Sequence, residues 1–403
     1  MGKYKQITSD FKSNKYTIFI LCVGMMPLWM NGYCGYILIL LLPILFIFKR
    51  YNIWSLTIGL FSTIYAGNIF IQNGLSTSEI VFYFLFPILL YQSGQWISQK
   101  FRTYNNIIVL LCIMAMCMAL PAIIANITDA FSTGEIVNIK RRIIVEGSDS
   151  VRSATGYGMM LSIMCGCFGI LLIKSDNKFN SKLKFTLVVF SLAALFSNIH
   201  LVNRTGIFIA GISLIIAVLT PPAKLKYILY AFLVGACIGI IYFLFAENEE
   251  LMKIFDSYTT RDSGISNIGS ISGRDERWSL GLIQIFTEPF GDPKGLRYEG
   301  TYNYAHNLII DGGIKGGVLC FFLLIAIFIK LWLMLIKIYK SKTLSRFYKY
   351  LLLTIGVTLF LQCMTEPIIE GLPQYLFYLM FYMGAITRIH TLPHKTITRN
   401  NQV

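Results

Sequence analysis

Apolar runs separated by short polar connections recur along the whole chain, near residues 16–31, 33–48, 53–71, 80–97, 106–125, 154–173, 184–199, 206–220, 227–246, 308–338, 347–365 and 372–387. A helix that crosses a bilayer needs about 20 mostly apolar residues, and only helices or closed barrels satisfy their own backbone in lipid. Runs of this length predict an all-α, polytopic membrane protein with about twelve transmembrane helices, in one domain covering residues 1–403. The tenth run opens on Gly312, Gly313, Gly316 and Gly317. The lysine-rich start before Tyr16–Met30 has no small-x-small cleavage pattern after it, so this stretch reads as an uncleaved first span.

Two connections on one side are long, 127–153 and 247–307. Loops beyond about 12–15 residues are usually functional or disordered. The larger has a helix signature. Ser272-Gly273-Arg274-Asp275 is a Ser-x-x-Asp start, Trp278, Leu282 and Ile285 follow at helical spacing, and Pro289 ends the run. A short amphipathic helix at the outer membrane surface is expected, making this a large, partly helical outer loop before the tenth span.

Composition agrees: 55% hydrophobic and 14% charged residues, with a mean hydropathy of +0.63, exclude an ordinary soluble domain. The net charge of +15 is unevenly spread. With the amino terminus in the cytoplasm, the inner connections hold 23 of the 35 basic residues and two of the 20 acids, a balance of +21 against −6 outside. That asymmetry is the positive-inside pattern, and it places both termini in the cytoplasm. It also accounts for the basic character without nucleic acid. The nine cysteines lie in or beside apolar runs with no CxxC and read as packing residues. No Asp-x-Asp, HExxH, P-loop or GxGxxG occurs in a fitting context, so neither a metal nor a cofactor is implied.

The outer side carries the candidate chemistry. Arg152 precedes the sixth span, Arg204 the eighth, and Arg274 and Arg277 stand three apart on one face of the expected loop helix. Arginine at a membrane boundary is costly unless paired or hydrated, and its planar fork suits phosphate oxygens. The alternative is snorkelling, or pairing with Glu146, Asp149, Asp275 or Glu276. His306 closes the large loop, and a side chain with an ordinary pKa of ~6.5 suits a general base acting on a hydroxyl. Glu366, Glu370, Asp311 and Glu299 are rival bases. Trp278, Tyr302 and Tyr304 are candidates for stacking on sugar rings, or interfacial aromatics.

Taken in order, Asn203-Arg204-Thr205-Gly206, then Gly273-Arg274, Trp278, Ile285, Pro289 and Gly291, then His306-Asn307 and the turn Gly313 to Gly317 resemble the O-antigen polymerase and O-antigen ligase family of bacterial envelope proteins. Arg152 before a glycine-containing span fits the same pattern. The likeness covers about residues 150–320 and the overall span count. The resemblance implies a bacterial inner-membrane protein with its site on the periplasmic face. There it would join glycans carried on undecaprenyl diphosphate, by metal-independent glycosyl transfer. Arg152, Arg204 and Arg274, with Arg277 beside them, would contact the diphosphate, and His306 would act as base or acceptor aligner. Lipid-linked oligosaccharides would be donor and acceptor, membrane lipids would surround the protein, and a chain-length regulator would be a further partner. Ligases of this kind often carry a second histidine two positions before the His-Asn pair. Tyr304 stands there, which favours a polymerase over a ligase acting on lipid A core. A multi-span glycolipid transporter and a non-catalytic assembly scaffold are the readings from other classes.

Overall fold

The computed structural model describes residues 9–26, 33–47, 51–73, 81–138, 141–144, 151–221, 274–298 and 300–389. The ninth apolar run, 227–246, and the rival base Glu299 lie outside the described residues. Among those described are thirteen α-helices and two small antiparallel hairpins. Six helical segments are long and apolar enough to cross a membrane: Ile53–Ile71, Tyr104–Thr133, Ala154–Leu172, Lys178–His200, Leu308–Lys340 and Arg346–Thr365.

Proline explains most departures from the expected run lengths. Helix α1 covers Lys15–Gly24, after a helical turn at 9–13, and ends just ahead of Pro27. The second run splits at Pro43 into a 3₁₀ segment, Tyr33–Leu41, and α2, Pro43–Ile47. After α3 (Ile53–Asn73) comes a π turn at Val81–Leu85, then α4 (Phe86–Lys100) with Pro87 in its first turn. Helix α5 (Tyr104–Thr133) runs beyond the predicted span end. The helix ends at Gly134, in a left-handed conformation, so its last turns cover the first residues of the stretch read from sequence as a loop from Ile127. The extra turn is held by Asp129, whose carboxylate meets His200 Nε2 at 2.8 Å and the Asn138 amide at 2.9 Å.

The hairpin β1 (Arg142–Ile144) with β2 (Val151–Ser153) was not visible as strand in the sequence and leads into α6 (Ala154–Gly166). A 3₁₀ turn, Phe168–Leu172, extends α6, and α7 (Lys178–His200) and α8 (Arg204–Leu219) follow. After the undescribed stretch come α9 (Arg274–Thr287), the hairpin β3 (Leu296–Tyr298) with β4 (Thr301–Asn303), and α10 (Leu308–Lys340). The chain closes with α11 (Arg346–Thr365), α12 (Ile368–Gly371) and α13 (Pro373–Ile386).

Side-chain contacts fix which helix ends lie together. Tyr350 Oη donates to Gly166 O at 3.1 Å, and the Thr354 hydroxyl bonds to the same carbonyl. Nearer the other end of α6, Ser162 meets Tyr375, which reaches Thr358 O. Helix α11 is therefore antiparallel to α6. Asn203 donates to Ala154 O at 3.2 Å while Ser213 bonds Gly169 N, so α8 runs parallel to α6. Asn307 at the head of α10 touches Met364 near the foot of α11. One end of the bundle thus gathers the starts of α6, α8 and α10, the ends of α5, α7 and α11, and Arg141, Arg204, Arg274, Asp311 and Glu366. The opposite end carries Lys100, Arg102, Lys178, Lys340, Arg346 and Lys349.

Tyrosine hydroxyls join the helices in the core. Tyr378 donates to Leu111 O at 2.8 Å and Tyr382 to Leu352 O at 2.6 Å, using the second lone pair of carbonyls already bonded within their helices. Helices α4 and α13 approach closest, because Gly94 and Gly384 let backbone meet backbone. A Cβ at Gly94 would fall within contact distance of Phe381 O and Ala385 N, neither of which can move aside cheaply. Gly94→Val should therefore lower the melting temperature of the purified protein by a few degrees or more, at a cost of about 1–3 kcal/mol. Gly67→Ala, in α3, where an added Cβ meets nothing within 4 Å, should melt like the parent. Equal melting of all three proteins would contradict this packing.

Candidate functional site

The site is built around the turn Tyr304-Ala305-His306-Asn307. Asn307 caps α10, its side chain accepting from Ile309 N at 3.0 Å and Ile310 N at 3.3 Å. Asp311, one turn into the helix, reaches back: one carboxylate oxygen accepts from Ala305 N at 2.7 Å and the other from Asn307 N at 3.0 Å. A carboxylate at a helix N-terminus is also favoured by the helix dipole. Between these two anchored amides His306 is held at a φ of 58°, a left-handed conformation uncommon for non-glycine residues. Among the described residues only Arg141 and Val202 are other non-glycine residues at positive φ, and both lie at the same end of the bundle. Strain of this kind persists where the surroundings over-determine it, commonly at functional sites.

Helix α9 packs over the turn. Gly281 and Ile285 sit against Ile310, Ile314 and Gly313 of α10, and the Trp278 indole donates to Ala305 O at 2.9 Å. The buried residues of α9 are Gly281, Gln284 and Ile285, with Trp278 partly buried and Leu282 exposed, a shift by one residue from the expected stripe. Leu282, Ile283 and Phe286 form an exposed apolar face, whose Phe286 ring meets Phe321 of α10 edge-on. One turn before Trp278, Arg274 Nη2 lies 3.8 Å from Glu366 Oε1. His306 Nδ1 lies 3.7 Å from Glu366 Oε2. Glu366 stands where Pro367 ends α11, and its side chain is only 5% exposed. Three residues spread over 93 positions thus meet at one buried carboxylate.

The other sequence candidates are distributed around this cluster. Arg204 is exposed in the first turn of α8, whose cap Asn203 bonds Ala154 O. Gly371, just beyond Glu366, packs on Met159, five residues further along α6. Both Arg204 and the segment that follows Glu366 are thus tied to the first half of α6, the one through Asn203 at Ala154 and the other through Gly371 at Met159. Arg152 enters by its backbone in β2, opposite Ile143, and Glu370 by its place in α12, while their side chains lie outside the described part. Arg277 does not join Arg274. It stacks on Tyr298, 4.9 Å from the ring centroid, and Tyr298 in turn donates to Glu276 at 3.1 Å. Asp311, a rival base by sequence, spends both oxygens on backbone amides and is placed as an orienting group. Lys315 Nζ lies 5.3 Å from the ring of Tyr304.

Tyr302 borders a separate open cavity of about 350 Å³ with Glu288, Asp292, Lys294 and Arg297, four residues from His306 in the chain. Arg297 pairs there with Asp292 at 3.0 Å and Glu288 at 2.9 Å, and these carboxylates, Asp292 first, push its pKa up. Sequence reasoning missed Asn307 as the cap, Asp311 as the anchor and Asn68, whose amide donates to both Phe290 O and Gly316 O. The Asn-x-x-x-Asp spacing at 307–311 was a readable sign of the first two.

Among the described residues, no three of His, Cys, Asp or Glu converge as a metal site would. No protein-family model matches the chain, and no curated protein matches it.

Removing the anchor should loosen the turn before anything else. Asp311→Ala leaves two buried amides without an acceptor, at about 1–3 kcal/mol each. Hydrogen exchange followed by mass spectrometry should show residues 305–307 exchanging at least about tenfold faster, with α11 unchanged. Parent-like exchange at those amides would contradict the role given to Asp311.

Proposed function

We propose that the protein is a glycosyltransferase that joins glycan repeat units carried on undecaprenyl diphosphate, an O-antigen-type polymerase. Its site would face the periplasm, and twelve spans would cross the inner membrane. The observation that carries the reading is the meeting of Arg274, His306 and Glu366 at the bundle end away from the lysine-rich end, with Arg204 and the β1–β2 hairpin alongside. The positive-inside pattern supports assigning that end to the outer face.

The chemistry asked of such a site is modest. A diphosphate is already a good leaving group, so the protein must hold its growing charge and accept a proton from the acceptor hydroxyl. Arg274 and Arg204 supply guanidinium groups for the first task, with Arg152 and Arg277 as further candidates at the same end. His306, pinned in one backbone conformation and partly open to solvent, supplies an imidazole for the second. The exposed apolar face of α9 is suited to lie on lipid, next to the polyprenyl chain. The cavity beside Tyr302 offers room for a sugar ring.

A transporter typically binds its substrate near the bilayer midplane between repeated halves, whereas this cluster lies where helices begin and end. The ligase alternative differs only in the acceptor, and Tyr304 in place of a histidine favours the polymerase.

Purified protein in nanodiscs, incubated with a defined undecaprenyl-diphosphate repeat, should build a ladder of products. His306→Ala should slow it by about a hundredfold or more. Arg204→Lys and Arg274→Lys should suppress it in folded protein, because an ammonium lacks the bidentate fork. A parent-like ladder from His306→Ala, or no ladder from the parent, would overturn the assignment.

A further inference from the structure

We propose that Glu366 changes partner during turnover: it restrains Arg274 in the empty site and orients His306 once a lipid diphosphate has taken Arg274. This rests on reading the site as one that receives a lipid diphosphate. Three observations carry it. The Glu366 side chain is 5% exposed, yet the Arg274 guanidinium and the His306 imidazole stand 3.8 and 3.7 Å from it, beyond hydrogen-bond reach. Glu366 Oε2 and His306 Nδ1 are both buried without a hydrogen-bond partner, and they face each other. The backbone of His306 is fixed by Asp311, while Arg274 sits in the first turn of α9 on a long, flexible side chain.

Buried polar atoms left unpaired are costly, and these two would satisfy each other by an approach of about 1 Å. What opposes that approach is the pull of Arg274 on the other carboxylate oxygen. A diphosphate carries more charge than one carboxylate and takes a guanidinium through two parallel bonds, so it wins Arg274. Glu366 is then free to accept from His306 Nδ1–H, which leaves Nε2 as the acceptor of a proton. The acceptor hydroxyl loses its proton to Nε2 as its oxygen bonds to the anomeric carbon. The bond from that carbon to the diphosphate oxygen breaks, and its electron pair leaves with the diphosphate held by Arg274. Glu366 stays ionised and offsets the imidazolium charge, and the proton passes from His306 to water. Substrate binding thereby prepares the base.

Binding and turnover should respond to Glu366→Gln in opposite directions. In full-length protein in nanodiscs, the variant should bind undecaprenyl diphosphate about threefold or more tightly, because Arg274 has lost its competitor. Single-turnover transfer should fall about a hundredfold, because the neutral amide cannot offset the imidazolium. Placed on Arg274→Ala, the same change should no longer tighten binding, and a double-mutant cycle isolates that coupling. Glu366→Asp should recover part of the rate. Weaker or unchanged binding by Glu366→Gln, parent-like turnover, or tightening that survives Arg274→Ala would overturn the inference and leave the glycosyltransferase reading intact. Parent protein that does not bind undecaprenyl diphosphate would remove both.

Discussion

The Asp311 carboxylate is the constraint on which the site depends. By holding the amides of Ala305 and Asn307 it fixes a turn that the backbone of His306 would not adopt alone. The cap from Asn307 starts α10 at that point, and the Trp278 indole ties the same turn to α9. Arg274 is one helical turn away from Trp278, so the bond that steadies the histidine loop also carries the arginine to it. A single buried acid thus converts a loop end into a rigid platform.

The helices behind the platform are arranged to bring Glu366 to it. Helix α11 runs antiparallel to α6 and to the long α10, which leaves its foot beside the head of α10. Small residues permit this closeness, and buried tyrosines donate to carbonyls of neighbouring helices in place of an apolar driving force that lipid does not supply. The bend within α10 has the same character. Gly317 departs from helical geometry at φ 83°, and Val318 N bonds Pro289 O across the break. The first turns of α10 therefore belong to the site and the remainder to the bundle.

How much of this could be read from sequence follows from the range of each interaction. The starts of α9, α10 and α11 were legible because apolar periodicity is a local signal. Arg274 and His306 stood out as charged or titratable groups in an apolar chain. The meeting of both at Glu366 was not legible, since 60 positions separate His306 from Glu366 and only the antiparallel packing of α10 and α11 closes that gap. The three-residue spacing of Arg274 and Arg277 pointed to a shared face, but Tyr298 of β3 captures Arg277. The hairpins, three residues per strand, are too short to show alternation. The extra length of α5 came from the buried contact of Asp129 with His200, which no run of hydrophobicity announces.

The most direct test of the central claim is the position of a bound lipid diphosphate in the full-length protein, determined by electron cryomicroscopy in nanodiscs loaded with undecaprenyl diphosphate. The account predicts phosphate density on the guanidinium of Arg274, with Glu366 withdrawn from Arg274 and within hydrogen-bond distance of His306. Phosphate density at the lysine-rich end, or an Arg274 that stays on Glu366 with the lipid bound elsewhere, would contradict it.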